Sequence, residues 1–335
     1  MLSQIEVKSL AERVEFSSLS GKRILVTGGS GMLGGYVIAS IIQVLQMLGL
    51  PPAKIVTICK SGEFQKLDIF RNNHSLQFLK GSVEKQMWQE SFEIIIHAAS
   101  PASPKLYGNF DELFLANVRP VEQLISRGNC SESFIFISSG TLNGVEVEFE
   151  ELDQSVACSE FMSDLEKYSY AKFLAEKAVS MYSRSEGING ASIRLYPTFG
   201  PGIRENTSRA TTDFLWKVAR REVPLIKSDG NSLRTFLYLE DACAAIIKSI
   251  ISPIGYRIFD LSGENVISIS DFARLVSDIG GMSGMINIEN SSKVQPQLNN
   301  FTLPNLKIVG EMGMLPKVTM EEGISRTIEW IRKQI

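Results

Sequence analysis

Two side chains suited to proton transfer, Tyr168 and Lys172, lie four residues apart in the segment Tyr-Ser-Tyr-Ala-Lys. On a helix, residues at this spacing share one face. An ammonium group beside a phenol stabilises the phenolate and lowers the pKa of the phenol. The spacing therefore predicts that Tyr168 acts as a base near neutral pH. Because the same spacing is common in proteins, its value depends on the segments around it.

A serine pair, Ser138 and Ser139, closes an apolar run over residues 134–137 that is typical of a buried strand. In open α/β sheets, ligands bind at the carboxyl ends of the strands. We therefore expect Ser139 to hold a substrate hydroxyl against Tyr168. The alternative is that the two serines only cap the turn after the strand.

Three glycines with the spacing G-x-x-G-x-x-G, Gly28, Gly31 and Gly34, follow a predicted strand and open a predicted helix. A backbone without Cβ atoms turns tightly and can approach a pyrophosphate closely. The helix N-terminus adds free N–H groups and a positive partial charge. The loop therefore predicts dinucleotide binding. The alternative is a glycine-rich turn that only packs helix on strand.

An acid that binds the adenine ribose is expected about 20 residues beyond such a loop. Here the second strand ends in Ile58-Cys59-Lys60-Ser61, without a carboxylate. Lys60 and Ser61 can instead hold a 2′-phosphate, which favours NADP over NAD. The alternative is that Lys60 is a solvated surface lysine.

The elements that must position these residues alternate along the chain. The apolar runs predict strands, and the segments between them predict helices, one over 111–127 and one over 164–185. Buried strands separated by helices predict an α/β fold with a Rossmann-type doubly wound parallel sheet. The strands are predicted at 24–27, 55–58, 76–79, 94–97, 134–137 and 191–196.

Beyond Pro197 the alternation loosens, and we predict a smaller mixed α/β C-terminal lobe that binds substrate. Helices are expected at 211–221, after 241, after 270 and at 320–333, with a strand at 257–261. The predicted division is an N-terminal extension at 1–20, a dinucleotide-binding domain at 21–197 to which 232–262 return, and a substrate-binding lobe formed by 198–231 and 263–335.

Composition excludes several classes of protein. The chain has 335 residues with 34 Lys+Arg and 37 Asp+Glu, a net charge of -3 that gives no reason to bind nucleic acid or anionic lipid. The uncharged stretch over 28–53 is interpreted as a buried helix, not a membrane span, because glycines and polar residues interrupt it. No metal site is expected. The four cysteines, which predict reduced thiols in a cytoplasmic protein, are Cys59, Cys130, Cys158 and Cys243.

Further motifs follow one another in a recognisable order. They are His97-Ala98-Ala99, Asn117, Arg194 with Gly200-Pro201, and Arg234-Thr235-Phe236 before Asp241. With the glycine loop, the serine pair and Tyr168/Lys172, they resemble the extended short-chain dehydrogenase/reductase family, in its nucleotide-sugar epimerase/dehydratase group. The resemblance extends from about Lys22 to the last helix. The run over 97–104 most resembles the UDP-glucuronate decarboxylase branch.

This resemblance implies NAD(P)-dependent hydride transfer on a nucleotide-activated sugar, at C4 or a neighbouring carbon. Tyr168 would take the proton from the sugar hydroxyl, Lys172 would lower its pKa and bind the nicotinamide ribose, and Ser139 would hydrogen-bond the reacting oxygen. The family also implies a homodimer and a role in polysaccharide or glycosylated-metabolite biosynthesis. Two sets of residues are expected to bind ligands. The cofactor set is Gly28, Ser30, Gly31, Met32, Gly34, Lys60, Ser61, Ser82, Val83, Ala98, Ala99, Asn117, Tyr168, Lys172, Tyr196 and Pro197, and the substrate set is Ser100, Thr141, Asn206, Arg209 and Arg234.

Several positions depart from the family's pattern. Related dehydratases carry an Asp-Glu pair directly after the serine, and related decarboxylases carry a Glu two residues after it. Here Gly140 and Thr141 stand at those places, which disfavours dehydration and decarboxylation and indicates an epimerase or ketoreductase. Asn143 replaces a usual tyrosine, and Ser82 replaces a usual Asp near the adenine.

Three alternatives stay open at this point. A decarboxylase or 4,6-dehydratase would recruit its acid from elsewhere, such as Glu146 or Glu148. A non-catalytic dinucleotide-binding sensor would not need the Ser139, Tyr168 and Lys172 set. Arg209 and Arg234 would bind the substrate diphosphate bidentately or form ordinary surface ion pairs.

Overall fold

A computed structural model describes residues 2–100, 110–125, 128–144, 163–205, 207, 209–289 and 302–335. Its strands include six that alternate with helices and several short ones that follow. They are β1 Arg23–Thr27, β2 Lys54–Cys59, β3 Leu76–Lys80, β4 Phe92–His97, β5 Cys130–Ser139, β6 Asn189–Leu195, β7 Thr198–Phe199, β8 Leu225–Ile226, β9 Leu233–Thr235, β10 Leu237–Tyr238, β11 Gly255–Leu261, β12 Val266–Ser268 and β13 Asn287–Ile288.

The central sheet has seven parallel strands within the described part of the chain, in the order β3-β2-β1-β4-β5-β6-β11. The sequence order reverses between β1 and β4, where open sheets leave a crevice for a ligand. Almost every residue of the inner strands is buried, as expected for a parallel sheet covered on both faces. The predicted fold class is confirmed.

Helices cover both faces of this sheet and form the rest of the molecule. They are α1 Gln4–Arg13, α2 Met32–Met47, α3 Phe110–Asn117, α4 Arg119–Ile125, α5 Asp164–Ser185, α6 Ala210–Ala219, α7 Leu239–Ile250, α8 Ile269–Ile279, α9 Lys307–Glu311 and α10 Met320–Arg332. Helices α1, α2 and α7 pack together on one face, and α3, α4 and α5 lie on the other.

The single helix predicted over 111–127 is wrong, because the structure has α3 and α4 with a break at Val118. Pro120 has no N–H to donate to the Ala116 carbonyl, and its ring crowds that carbonyl. The residue before a proline also avoids continuous helical geometry. The helix predicted over 164–185 agrees with α5. Ser163 and Glu166 form a capping box at the N-terminus of this helix.

A separate apolar cluster joins α6, α8 and α10 beyond the sheet. Aromatic rings form its centre, and the Phe236 and Phe272 centroids lie 4.0 Å apart. Phe199 of β7 packs edge-on against Phe272 and joins this cluster to the end of β6. The residue limits of the two predicted lobes stay a prediction.

The N-terminal helix α1 is tied to the core by buried charges. Arg13 forms ion pairs with Glu240, at 3.0 Å, and with Asp241. Arg326 of α10 reaches the same Glu240 at 2.8 Å. Glu6, also buried, accepts hydrogen bonds from two tyrosine hydroxyls of the core. The predicted N-terminal extension at 1–20 thus contains a helix that contacts α2 and α7.

Candidate active site

The glycine loop lies between β1 and α2, at the point where the strand order reverses. Gly28 has a φ of 76°, and its N–H donates to the Ile58 carbonyl at 3.1 Å. A Cβ on Gly34 would lie 2.5 Å from the Gly28 carbonyl oxygen, and a Cβ on Gly28 would lie 2.9 Å from the Ala99 nitrogen. The loop therefore folds against itself and against the segment after β4.

This loop fits the pyrophosphate of a dinucleotide. The N-cap of α2 is Gly31, and no side chain caps the helix there. The first-turn N–H groups of a helix have no partner within the helix and favour an anion. Ser30 and Met32 flank the N-cap, and the Ser30 carbonyl accepts a hydrogen bond at 3.0 Å from Arg204, a residue that the sequence analysis missed.

A buried hydrogen-bond chain connects β1 with the segment after β4. The Ala99 N–H donates to Thr27 Oγ1 at 3.0 Å, and Thr27 Oγ1 lies 2.8 Å from His97 Nδ1. Which of these two atoms donates to the other depends on the tautomer of the imidazole ring. Burial, helped by the Lys172 charge, lowers the pKa of His97 to about 3. His97 is therefore neutral and holds Ala98 and Ala99 against the glycine loop.

The structure brings Ser139, Tyr168 and Lys172 together at the carboxyl edge of the sheet. Ser139 ends β5, and its hydroxyl lies 2.9 Å from the Thr141 hydroxyl. Tyr168 and Lys172 are both buried on α5. Lys172 Nζ donates to the Ile137 carbonyl at 2.9 Å and lies 5.9 Å from the centre of the Tyr168 ring. This arrangement can hold and exchange protons.

The pKa values at this edge are set mainly by burial. Burial raises the pKa of Tyr168, although a hydrogen bond with Ser139 and the charge of Arg209 act to lower it. Burial also lowers the pKa of Lys172 from 10.5 to about 7, while the Glu176 charge acts to raise it. The pKa of Tyr168 is therefore raised, whereas its spacing from Lys172 predicts a lowered pKa. The reason is that the phenol and the ammonium are both removed from water.

A buried acid on α5, Glu176, was missed by the sequence analysis. Arg194 of β6 donates to both of its carboxylate oxygens, at 3.0 and 2.9 Å. Ser138 donates to Glu176 Oε1 at 2.6 Å, so this hydroxyl faces away from the reacting edge. The signal was available, because Glu176 follows Lys172 by four residues and shares its helix face.

Asn143 extends this network to the neighbouring strands. Its Oδ1 accepts from Arg194 at 2.6 Å, and its Nδ2 donates to Asp260 Oδ2 at 2.6 Å and to the Tyr196 hydroxyl at 3.0 Å. Asp260 lies near the carboxyl end of β11, and its Oδ2 also accepts a hydrogen bond from the Asn305 N–H at 2.7 Å. The residue that replaces the family's tyrosine therefore joins β6 and β11 to the turn after β5.

The ring of Tyr196 occupies the space where a side chain at Gly140 would lie. A Cβ on Gly140 would be 2.5 Å from two carbons of that ring. An acidic side chain at position 140 would therefore have to displace Tyr196. The Thr141 hydroxyl next to it bonds with Ser139 and is not an acid.

The residues after β2 and β3, among them those predicted to bind the adenosine, lie side by side. Lys60 Nζ lies 3.6 Å from a carboxylate oxygen of Glu84, an acid that the sequence analysis missed. Ser61 accepts a hydrogen bond from the Glu63 N–H at 3.2 Å. Ser82 and Val83 lead into the turn that carries Glu84. No sequence signal pairs Lys60 with Glu84, because the register of β2 and β3 sets this contact.

The remaining predicted residues have more varied placements. Asn117 is fully buried, and it accepts from Ser100 and donates to the Leu113 carbonyl, both at 2.8 Å. Arg209 is the N-cap residue of α6, and Arg234 lies on β9, where burial lowers its pKa. The Pro197 carbonyl accepts from Leu237 at 2.9 Å and so joins β7 to β10.

Some predicted residues lie outside the described part of the chain. They are Asn206, the alternative acids Glu146 and Glu148, Cys158 and residues 101–104 of the run over 97–104. Among the described residues, no group of three or more His, Cys, Asp or Glu side chains could hold a metal ion. Within the same ranges, no helix has the length and apolar character needed to cross a membrane.

Three comparisons relate the chain to known proteins. A model of the NAD dependent epimerase/dehydratase family matches residues 24–255. UDP-glucuronic acid decarboxylase 1 of Xenopus tropicalis is 23% identical over 316 residues, covering 94% of this chain and 73% of that protein. UDP-N-acetylglucosamine 4-epimerase from Methanobrevibacter ruminantium has a similar fold, with a TM-score of 0.77 at 20% identity, covering 94% of this chain and 100% of that one. UDP-glucuronic acid 4-epimerase from Bacillus cereus, in complex with UDP-glucuronic acid and NAD, also has a similar fold. Its TM-score is 0.72 at 20% identity, covering 93% of this chain and 100% of that one.

Proposed function

Because this chain belongs to the NAD dependent epimerase/dehydratase family, we propose that it is an epimerase or ketoreductase of nucleotide-activated sugars that acts at C4 or a neighbouring carbon. The observation that carries the proposal is the convergence of Ser139, Tyr168 and Lys172 at the carboxyl edge of the sheet, beside the Gly28 loop. A protein that only bound a dinucleotide would have no use for a buried phenol and lysine at that edge.

In the proposed reaction, Tyr168 first gives up its own phenolic proton, and the phenolate oxygen then takes the proton of the sugar hydroxyl as the hydride leaves the same carbon. Ser139 hydrogen-bonds the reacting oxygen and fixes its position. Lys172, whose pKa burial lowers to about 7, is poised to exchange a proton with this site near neutral pH. A nicotinamide ring, when bound, would supply the hydride acceptor, and the Gly28 loop with α2 would hold the pyrophosphate of that cofactor.

The same edge supports epimerisation or ketone reduction over elimination. Dehydration and decarboxylation need an acid close to the serine, and the ring of Tyr196 fills the space beside Gly140 where such a side chain would begin. The neighbouring Thr141 supplies only a hydroxyl group. We therefore propose a reaction confined to the carbon that carries the transferred hydride.

The test is turnover of a panel of UDP-sugars, followed by nuclear magnetic resonance of the sugar protons. We expect inversion at one carbon, or reduction of a keto sugar, and about a 10²–10⁴-fold loss in Tyr168→Phe because a general base is removed. Tyr182→Phe removes the same hydroxyl group 14 residues further along α5 and serves as the matched control. Full turnover by Tyr168→Phe would refute the proposal, and release of CO₂ from UDP-glucuronate would support a decarboxylase instead.

For the substrate, we propose that Arg209 and Arg234, with Asn206, bind the nucleotide diphosphate. An arginine side chain suits phosphate because its donors form a planar fork. Replacing Arg234 with Ala should raise KM for the sugar nucleotide more than it lowers kcat. An unchanged KM would remove Arg234 from the substrate site.

We also propose a homodimer in the cytoplasm that contributes to polysaccharide or glycosylated-metabolite biosynthesis. Exposed apolar side chains on α3 and α5 support the dimer, and Met181 is 70% exposed. The others are Phe114, Leu115 and Leu174. Sedimentation of the wild type and of Leu115→Glu tests the dimer, which the added charge should dissociate. The free thiols Cys59, Cys130 and Cys243 support a reducing compartment.

A further inference from the structure

The segment after β2 carries a positive charge that is already paired. The exposed Lys60 follows the strand end, where an acid that reads the adenine ribose is expected. Its ammonium nitrogen lies 3.6 Å from the carboxylate of Glu84, whose side chain is only 13% exposed. The Lys60 ammonium therefore already has an anionic partner, and a 2′-phosphate would have to compete with Glu84 for it.

The position of Glu84 is fixed by the neighbouring segments. Gly81, just beyond β3, donates its N–H to the Cys59 carbonyl at 2.9 Å, which sets the two strand ends side by side. Gln123 of α4 donates from its side chain to the Glu84 backbone carbonyl at 3.0 Å. A carboxylate from the turn after β3 thus lies against the lysine that follows β2.

The charge of Glu84 is also maintained in the folded protein. Burial alone would raise the pKa of this carboxyl group. The Ser82 hydroxyl, the backbone N–H of Glu84 and the Lys60 ammonium outweigh that effect and hold the pKa below its usual value. With the adenine ribose bound at these strand ends, a fixed negative charge there would accept a hydroxyl hydrogen bond and repel a phosphate.

We propose that Glu84 is the residue that selects NAD over NADP, in place of the acid that is missing after β2. This inference rests on the proposed function, because it assumes that a dinucleotide occupies the glycine loop. It opposes the preference for NADP that Lys60 and Ser61 suggest in the sequence. Lys60 contributes by positioning the Glu84 carboxylate and would bind a phosphate only if that carboxylate were removed.

Isothermal titration of the full chain with NADH and NADPH, after copurifying nucleotide is removed, tests this role. The wild type should bind NADH about tenfold or more tighter than NADPH, and Glu84→Gln should reduce that ratio about tenfold. Adding Lys60→Ala to Glu84→Gln should abolish the gain in NADPH affinity, because the freed ammonium supplies it. Glu63→Gln removes the same charge from an exposed residue nearby and should leave the ratio unchanged.

The outcomes separate this inference from the proposed function. A wild type that prefers NADPH, or a Glu84→Gln variant whose ratio equals that of the wild type, overturns the role of Glu84 and leaves the proposed function standing. If Glu63→Gln shifts the ratio of the NADH and NADPH affinities as much as Glu84→Gln does, the role of Glu84 is also overturned. The change in the ratio would then come from long-range electrostatics. Binding of neither dinucleotide overturns the proposed function and this inference together.

Discussion

Replacing Lys172 with Met should stabilise the protein while it removes turnover. The side chain is fully buried, and its pKa falls from 10.5 to about 7. At about 1.4 kcal/mol for each unit of pKa, the folded state loses about 5 kcal/mol when this lysine is charged in both states. Methionine has a similar length and no charge, so the substitution removes that cost.

The expected gain depends on pH with a definite sign. Between pH 7 and 10.5 the unfolded chain holds a proton on Lys172 that the folded chain does not, so wild-type stability rises with pH through this window. Below pH 7 the full cost is present. The variant also loses the hydrogen bond from Lys172 to the Ile137 carbonyl, which offsets about 1 kcal/mol of the gain in stability. The net stabilisation should be about 3–4 kcal/mol at pH 6.5 and under about 1 kcal/mol at pH 9.5.

Urea denaturation of wild type and variant at the two pH values measures this difference, with turnover measured in parallel. Lys177→Met, an exposed lysine five residues further along α5, is the matched control and should show no such pH dependence. A Lys172→Met variant that is destabilised equally at both pH values would show that the ammonium is solvated, and the reasoning about burial would fail. A gain in stability with lost activity is typical of catalytic groups held in unfavourable surroundings.

Three other perturbations follow from the contacts described above. Gly34→Ala places a Cβ 2.5 Å from the Gly28 carbonyl oxygen, so calorimetry should detect loss of dinucleotide binding, and unchanged affinity would contradict the packing of the loop. Because the pKa of His97 is about 3 in the folded protein, this residue binds a proton only in the unfolded chain between pH 6.5 and 3. The free energy of unfolding should therefore fall by about 1.4 kcal/mol for each unit by which the pH is lowered in this window. The variant His97→Asn should lose that slope in acid denaturation, and an identical slope would show that other groups cause it. Arg13→Met should lower the free energy of unfolding by about 3–5 kcal/mol in urea denaturation, because it leaves the buried Asp241 without its cation. Unchanged stability would show that this ion pair is solvated.

The sequence predicts the sheet well because its strands carry their own signal. Runs of Ile, Val and Phe between helices are required wherever a parallel strand is buried on both faces, and every predicted strand lies within or overlaps an observed one. The helix over 164–185 was predictable because its capping residues are local. The break at Val118 is local as well, and Pro120 was the available signal.

The site was less predictable where it depends on long-range geometry. The Tyr168 and Lys172 pair follows from spacing, but the direction of their pKa values does not, because burial depends on what the rest of the chain packs around them. Glu84 reaches Lys60 only through the register of two strands. Likewise, only the structure places the Tyr196 ring against Gly140, 56 positions earlier in the chain.

The buried ion pairs of α1 have a consequence for the order in which the protein assembles. Arg13 and its acid partners are separated by 227 and 228 positions in sequence. During synthesis, Arg13 stays solvated until α7 has left the ribosome. Closing so long a loop makes these ion pairs a late event in folding. The charges of a segment that is made early are therefore among the last to reach their final partners.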